Sequence, residues 1–71
     1  MVTIVRTTNA VRLSFLQVLL ADAGIQTDVF DSNMAALEAG IGAFPRRLMV
    51  LADQRLAAET VLREAEEFYD D

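Results

Sequence analysis

Apolar and polar positions follow two different periods along this chain. Val2 to Thr7 is rich in β-branched residues and reads as a strand. Its alternation places Val2 and Ile4 on one face and Thr3 and Val5 on the other. From Ala10 to Ala23 the apolar residues recur at helical spacing. Leu13, Leu16, Leu20 and Ala23 form the stripe, flanked by Phe15 and Leu19. Asn9 is a good N-cap for this helix. Gly24 suits the left-handed position that closes it, and Ile25 can fold back onto the last turn. Ile25 to Asp31 alternates loosely and predicts a second strand. Arg47 to Leu51 is a short apolar run and predicts a third. Asp53 is the expected cap of a second helix. That helix has an apolar face of Ala57, Ala58, Val61, Leu62, Ala65, Phe68 and Tyr69. Its polar face carries Arg55, Glu59, Arg63, Glu66 and Glu67.

The first helix has a second apolar strip, Val11, Phe15 and Val18, interrupted at the surface only by Arg12, Ser14, Gln17 and Asp22. A helix on one sheet needs one stripe. The second strip is read first as a wide core contact and, less favoured, as an interface.

The order strand, helix, strand, strand, helix predicts an α+β ferredoxin-like half sandwich over residues 1–71, a single domain. The third strand then lies between the first and second, antiparallel to both, with both helices on one face. The usual fourth strand beside the first has no counterpart among these residues. The first strand is therefore expected as an open edge, which invites self-association. Glu64, Glu66, Glu67, Asp70 and Asp71 crowd the end of the second helix, where negative charge opposes the helix dipole. Residues 68–71 are expected to fray.

Composition narrows the chemistry. The 71 residues include no histidine, cysteine, tryptophan or lysine. A thiolate or imidazole metal site, a Ser-His-Asp or Cys-His apparatus and a Schiff-base lysine are all unavailable. Only carboxylates and Tyr69 remain as acids or bases, so no catalytic residue, metal or cofactor is assigned. Asp28 and Asp31 are the one strand-end carboxylate pair, and their spacing does not recommend them. The formal net charge is −5, and all six cations are arginine. Such a chain lacks the basic stripe that nucleic acid or an anionic membrane requires. No run of apolar residues is long enough to span a bilayer. A cytoplasmic location is expected.

The segment between the second and third strands, Asp31 to Pro45, is long for a hairpin, whose loops are normally ~2–5 residues. It carries Met34, Leu37, Ile41 and Phe44. Three readings stay open. These four side chains can close one end of the sheet as a small cluster of their own. They can instead dock a partner protein, with Arg46 and Arg47 setting orientation. Or Gly40, Gly42, Arg46 and Arg47 can cradle a small anion, backbone N–H groups and guanidinium forks supplying the donors. Protein docking is favoured over anion binding. Arg46 and Arg47 can also simply pair with Asp31 or Glu38.

LSFLQVLLADAGI (Leu13 to Ile25) and VFDSNMAALEAGIGAFPRRLMV (Val29 to Val50) together resemble a small bacterial family described as putative prokaryotic signal-transducing proteins. The most specific part is Gly42-Ala43-Phe44-Pro45-Arg46-Arg47. The resemblance implies a fold of the nitrogen-regulatory PII type. In PII proteins a long loop between the second and third strands contacts partners, and residues 31–45 take the equivalent place. The chain departs from true PII proteins: it has no lysine for nucleotide phosphates, no second glycine-rich loop and no last strand. The resulting expectation is a non-enzymatic regulatory module that presents residues 33–47 to a partner protein, through Met34, Leu37, Ile41, Phe44, Arg46 and Arg47.

Overall fold

The structure, a computed structural model, describes residues 1–31 and 45–71. Among the described residues three strands and two helices follow in the order β1 (Val2–Thr7), α1 (Ala10–Asp22), β2 (Thr27–Asp31), β3 (Arg46–Val50) and α2 (Arg55–Glu64), with one 3-10 turn at Ala52–Gln54 before α2. The sheet order is β1-β3-β2, and β3 is antiparallel to both neighbours. This is the expected α+β ferredoxin-like arrangement.

The core lies between the helices and one face of the sheet. It joins Ile4, Val5, Leu48 and Val50 to Leu13, Leu16 and Leu20 of α1, Ala58 and Leu62 of α2, and Ile25. Burying a leucine or valine side chain contributes ~1.5–3 kcal/mol, so these residues carry most of the apolar stabilisation among the described residues.

The alternation expected for β1 is broken. The register with β3 shifts between Thr3 and Val5, leaving Ile4 in a bulge. Val2, Val5 and Thr7 then share the core side, opposite Val50, Leu48 and Arg46. Thr3 and Arg6 take the other side. An inserted residue shifts the two-residue period by one, which lets Ile4 and Val5 both be buried.

Asn9 caps α1 as expected, its Oδ1 accepting from the amides of Val11 at 3.0 Å and Arg12 at 3.1 Å. Gly24 closes the helix at φ 78°, with Gly24 N–H donating to Ala21 and Ile25 N–H to Leu20. This is a Schellman closure, and buried Ile25 and Leu20 give it its apolar contact.

At α2 the reading needs correction. Asp53 lies inside the 3-10 turn and caps nothing; Gln54 precedes the helix, and no side chain bonds its first amides. The Gln54 side chain bonds elsewhere, accepting from Gln26 N–H at 3.2 Å and donating to the Gly24 carbonyl at 3.5 Å. The helix also ends at Glu64, well before Phe68. Glu66 adopts φ 58° and the same closure repeats, with Glu66 N–H on Arg63 and Glu67 N–H on Leu62. Phe68 and Tyr69 therefore lie beyond the helix and are exposed. Ala57, placed on the apolar face, is exposed as well.

Residues 68–71, expected to fray, run back over α1 and β1. Asp71 N–H donates to the Arg6 carbonyl at 3.0 Å, and Arg6 N–H donates to Asp70 Oδ1 at 2.9 Å. The outward backbone groups of Arg6 are thus satisfied, so the β1 edge is not open along its whole length. The second strip of α1 departs from the favoured core reading: Val11, Phe15 and Val18 remain 80%, 50% and 60% exposed. They point away from the leucine stripe that meets the sheet.

Candidate functional site

Sheet register decides which of the candidate side chains meet. Residues directly opposite in an antiparallel pair share a face, and successive residues alternate faces. Arg47 lies opposite Arg6 on one side and Phe30 on the other. The three form one row across β2, β3 and β1, on the face the helices leave uncovered. Arg6 and Arg47 are exposed, and Phe30 is 44% exposed. The next row on this face is Asp28, Met49 and Thr3.

Arg46 and Arg47, adjacent in sequence, are parted by the pleat. Arg46 lies opposite Thr7 and Asp31, in the row on the helix side, and is half-buried. The pair that shares a face is Arg47 with Arg6. Met34, Leu37, Gly40, Ile41, Gly42 and Phe44, the other candidate residues of the connecting segment, lie outside the described residues, as does Glu38.

Two like charges directly opposite one another oppose strand pairing. Among the described residues neither guanidinium, that of Arg6 or that of Arg47, forms an ion pair or hydrogen bond. The nearby carboxylates are engaged elsewhere. Asp28 accepts from the Val29 amide at 2.8 Å, and Asp70 accepts from the backbone of Arg6. An anionic group placed over this row meets two donor forks beside an aromatic ring.

The sixth position of the chain and the thirtieth escaped the sequence reading. Period-two counting from Arg47 would have found both, but only with the strand register known.

A second constellation was also missed. Arg12, expected at the surface, has a side chain only 7% exposed. Its Nε donates to Glu67 Oε1 at 2.9 Å, and Nη1 to Asp71 Oδ1 at 2.8 Å. Nη2 donates to the carbonyls of Glu67 at 2.7 Å and Tyr69 at 3.0 Å. The Tyr69 ring stacks on the guanidinium, 3.9 Å from centroid to Cζ. Burial alone would lower the Arg12 pKa. The hydrogen bonds to Glu67 and Asp71 outweigh it and hold the group above its ordinary value. The Thr7 hydroxyl, with Arg12, keeps the Asp71 carboxyl below its ordinary value against a smaller opposing effect of desolvation. This cluster is structural: four of the five guanidinium donors bind acceptors on residues 67–71 of the chain itself.

A family model described as "putative prokaryotic signal transducing protein" matches residues 1–66. The chain belongs to this family. The match covers all three strands and both helices of the described residues, and ends just before the tail segment that Arg12 holds. No curated protein and no solved structure matches. The family description names a signalling role and no reaction. Among the described residues no three carboxylates converge into a cation site, and no helix is long and apolar enough to cross a membrane.

Proposed function

We propose that this chain is a small, non-enzymatic regulatory module that presents residues 33–47 to a partner protein. The observation that supports the reading most directly is the position of Arg47. It is exposed at the beginning of β3, where the connecting segment rejoins the sheet, with no acidic side chain of the described residues bound to it. An arginine so placed gives a partner's carboxylate a bidentate contact. Phe44 and Leu37, close by in sequence, supply apolar anchors, and anchors of this kind carry ~2 kcal/mol or more at a hot spot. The family's signalling description and the lack of histidine, cysteine and lysine both fit a binding role.

The test is capture of partners on the immobilised wild type, Phe44→Ala and Arg47→Ala, each checked first for unchanged thermal unfolding. The expected result is a protein retained by the wild type and lost from both variants. Retention of every captured protein by both variants would overturn the proposal.

A further inference from the structure

From the row Phe30–Arg47–Arg6 we infer that the face of the sheet opposite the helices binds a small anion of definite type, a phosphate monoester carried on an aromatic ring. The inference shares Arg47 with the proposed docking surface but does not rest on residues 33–47 docking a partner. It uses three side chains on three strands, which the register fixes on one face.

The phosphate requirement comes from the arginines. Arg6 and Arg47 are directly opposite, exposed, and without a carboxylate among the described residues. A phosphate has enough oxygens to accept from both forks at once, and its charge removes the repulsion between them. A single carboxylate answers one fork well and two poorly. The aromatic requirement comes from Phe30, next in the row and partly exposed. Neighbouring strands lie ~4.8 Å apart, a span comparable to that from a ring to a phosphorus one oxygen away. With the phosphate over Arg47 and Arg6, the ring reaches Phe30, where aromatic stacking adds to the affinity.

The rest of the molecule limits the ligand's size. Asp28 lies on the same face in the next row, and Asp70 lies at the backbone of Arg6. With a formal net charge of −5, the chain repels a polyanion, which needs many phosphate contacts to be held. One phosphate suits two arginines. Phosphotyrosine in a peptide contains the required chemistry, whereas a nucleotide carries its phosphate on the ribose, several bonds from the ring.

The experiment is an amide NMR titration of the whole chain with phenyl phosphate, inorganic phosphate and benzoate. Phenyl phosphate is expected to shift the amides of Arg6, Phe30 and Arg47 saturably, binding at least ~tenfold more tightly than either of the others. Arg6→Ala and Arg47→Ala, both at exposed positions, should each weaken it by ~tenfold or more. Phe30→Ala should reduce phenyl phosphate to the affinity of inorganic phosphate. A phosphotyrosine peptide and adenosine monophosphate are then titrated; the peptide is expected to bind at least as tightly as phenyl phosphate, and tighter binding of the nucleotide would overturn the aryl phosphate assignment. No saturable shift up to ~10 mM, shifts centred elsewhere, or equal binding of benzoate and phenyl phosphate would overturn the inference. The Phe44→Ala chain should bind phenyl phosphate as the wild type does, so failure of the docking proposal and failure of this one are told apart.

Discussion

The Nε of Arg12 donates to Oε1 of Glu67 at 2.9 Å, joining the first turn of α1 to a residue beyond the end of α2. Four of the five N–H donors of this guanidinium are used, all on residues 67–71. The planar fork matches that geometry, whereas a lysine ammonium would reach only part of it. Arg12 thus stands where a small domain is short of core, and fastens the last residues to the sheet edge.

Arg12→Ala should destabilise the fold by about 2 kcal/mol. The side chain is nearly buried, but its partners Glu67 and Asp71 keep 24% and 38% exposure, which holds the cost below that of breaking a fully buried pair. In a domain this small, such a change lowers the unfolding midpoint by ~10 °C or more. Arg12→Lys should recover less than half of the loss. Thermal unfolding of the three chains at one pH decides it; a change under about 0.5 kcal/mol for Arg12→Ala would show the latch to be unimportant for stability.

The same latch should weaken in acid. The Asp71 carboxyl is held below its ordinary value of 3.8 in the folded chain, first by the Thr7 hydroxyl and then by Arg12. A carboxylate with a depressed folded pKa stabilises the fold above its unfolded pKa. That contribution is lost as pH falls through the folded value. Stability should therefore drop below about pH 4, and Asp71→Asn should flatten this part of the profile while lowering stability at neutral pH. Urea unfolding of both chains at pH 7, 4 and 3 measures it. Parallel curves for the two chains would assign the acid sensitivity to other carboxylates.

Glu66 offers a stabilising change. It occupies the left-handed position of a Schellman closure, at φ 58°, where α1 has Gly24 at φ 78°. A side chain in that conformation costs roughly 1–2 kcal/mol, and glycine has no such penalty. Glu66 is exposed, and among the described residues its side chain makes no hydrogen bond or ion pair that the change would remove. Glu66→Gly should raise stability by roughly 0.5–1 kcal/mol after the larger chain entropy of glycine is counted. A lower unfolding midpoint than the wild type would contradict it.

These relationships separate what local pattern can reveal from what it cannot. Asn9, Gly24 and the Leu13–Leu16–Leu20 stripe follow from contacts within a few residues, and the sequence reading placed all of them. The strand order followed from the element order, which is that of a ferredoxin-like half sandwich. The Ile4 bulge did not follow, because it depends on the partner strand. Nor did Arg12: its partners lie 55 to 59 positions away, and an arginine on a helix ordinarily reads as solvent-facing. The Schellman turn at Glu66 was hidden because glycine, its usual sign, is absent. At the site, Arg47 was legible beside Arg46. Its true companions on the face, Arg6 and Phe30, come from two other strands and appear only once the register is known.

The two strips of α1 should respond oppositely to substitution. Leu16 is fully buried between the helices and the sheet, and truncating a buried leucine to alanine costs ~2–5 kcal/mol. A domain of this size has little more than that in reserve. Leu16→Ala should therefore leave the chain largely unfolded at room temperature, with its amide NMR dispersion lost. Val18 lies seven residues from Val11 on the exposed strip, so Val18→Ser should change stability by no more than ~0.5 kcal/mol. Serine and valine have nearly equal helix preference, so the change mainly leaves less apolar surface in water. Should Val18→Ser cost as much as a core truncation, the strip is covered in solution. Repeating that measurement across a wide range of protein concentrations would then distinguish cover by a second copy, which fades on dilution, from cover within one chain, which does not.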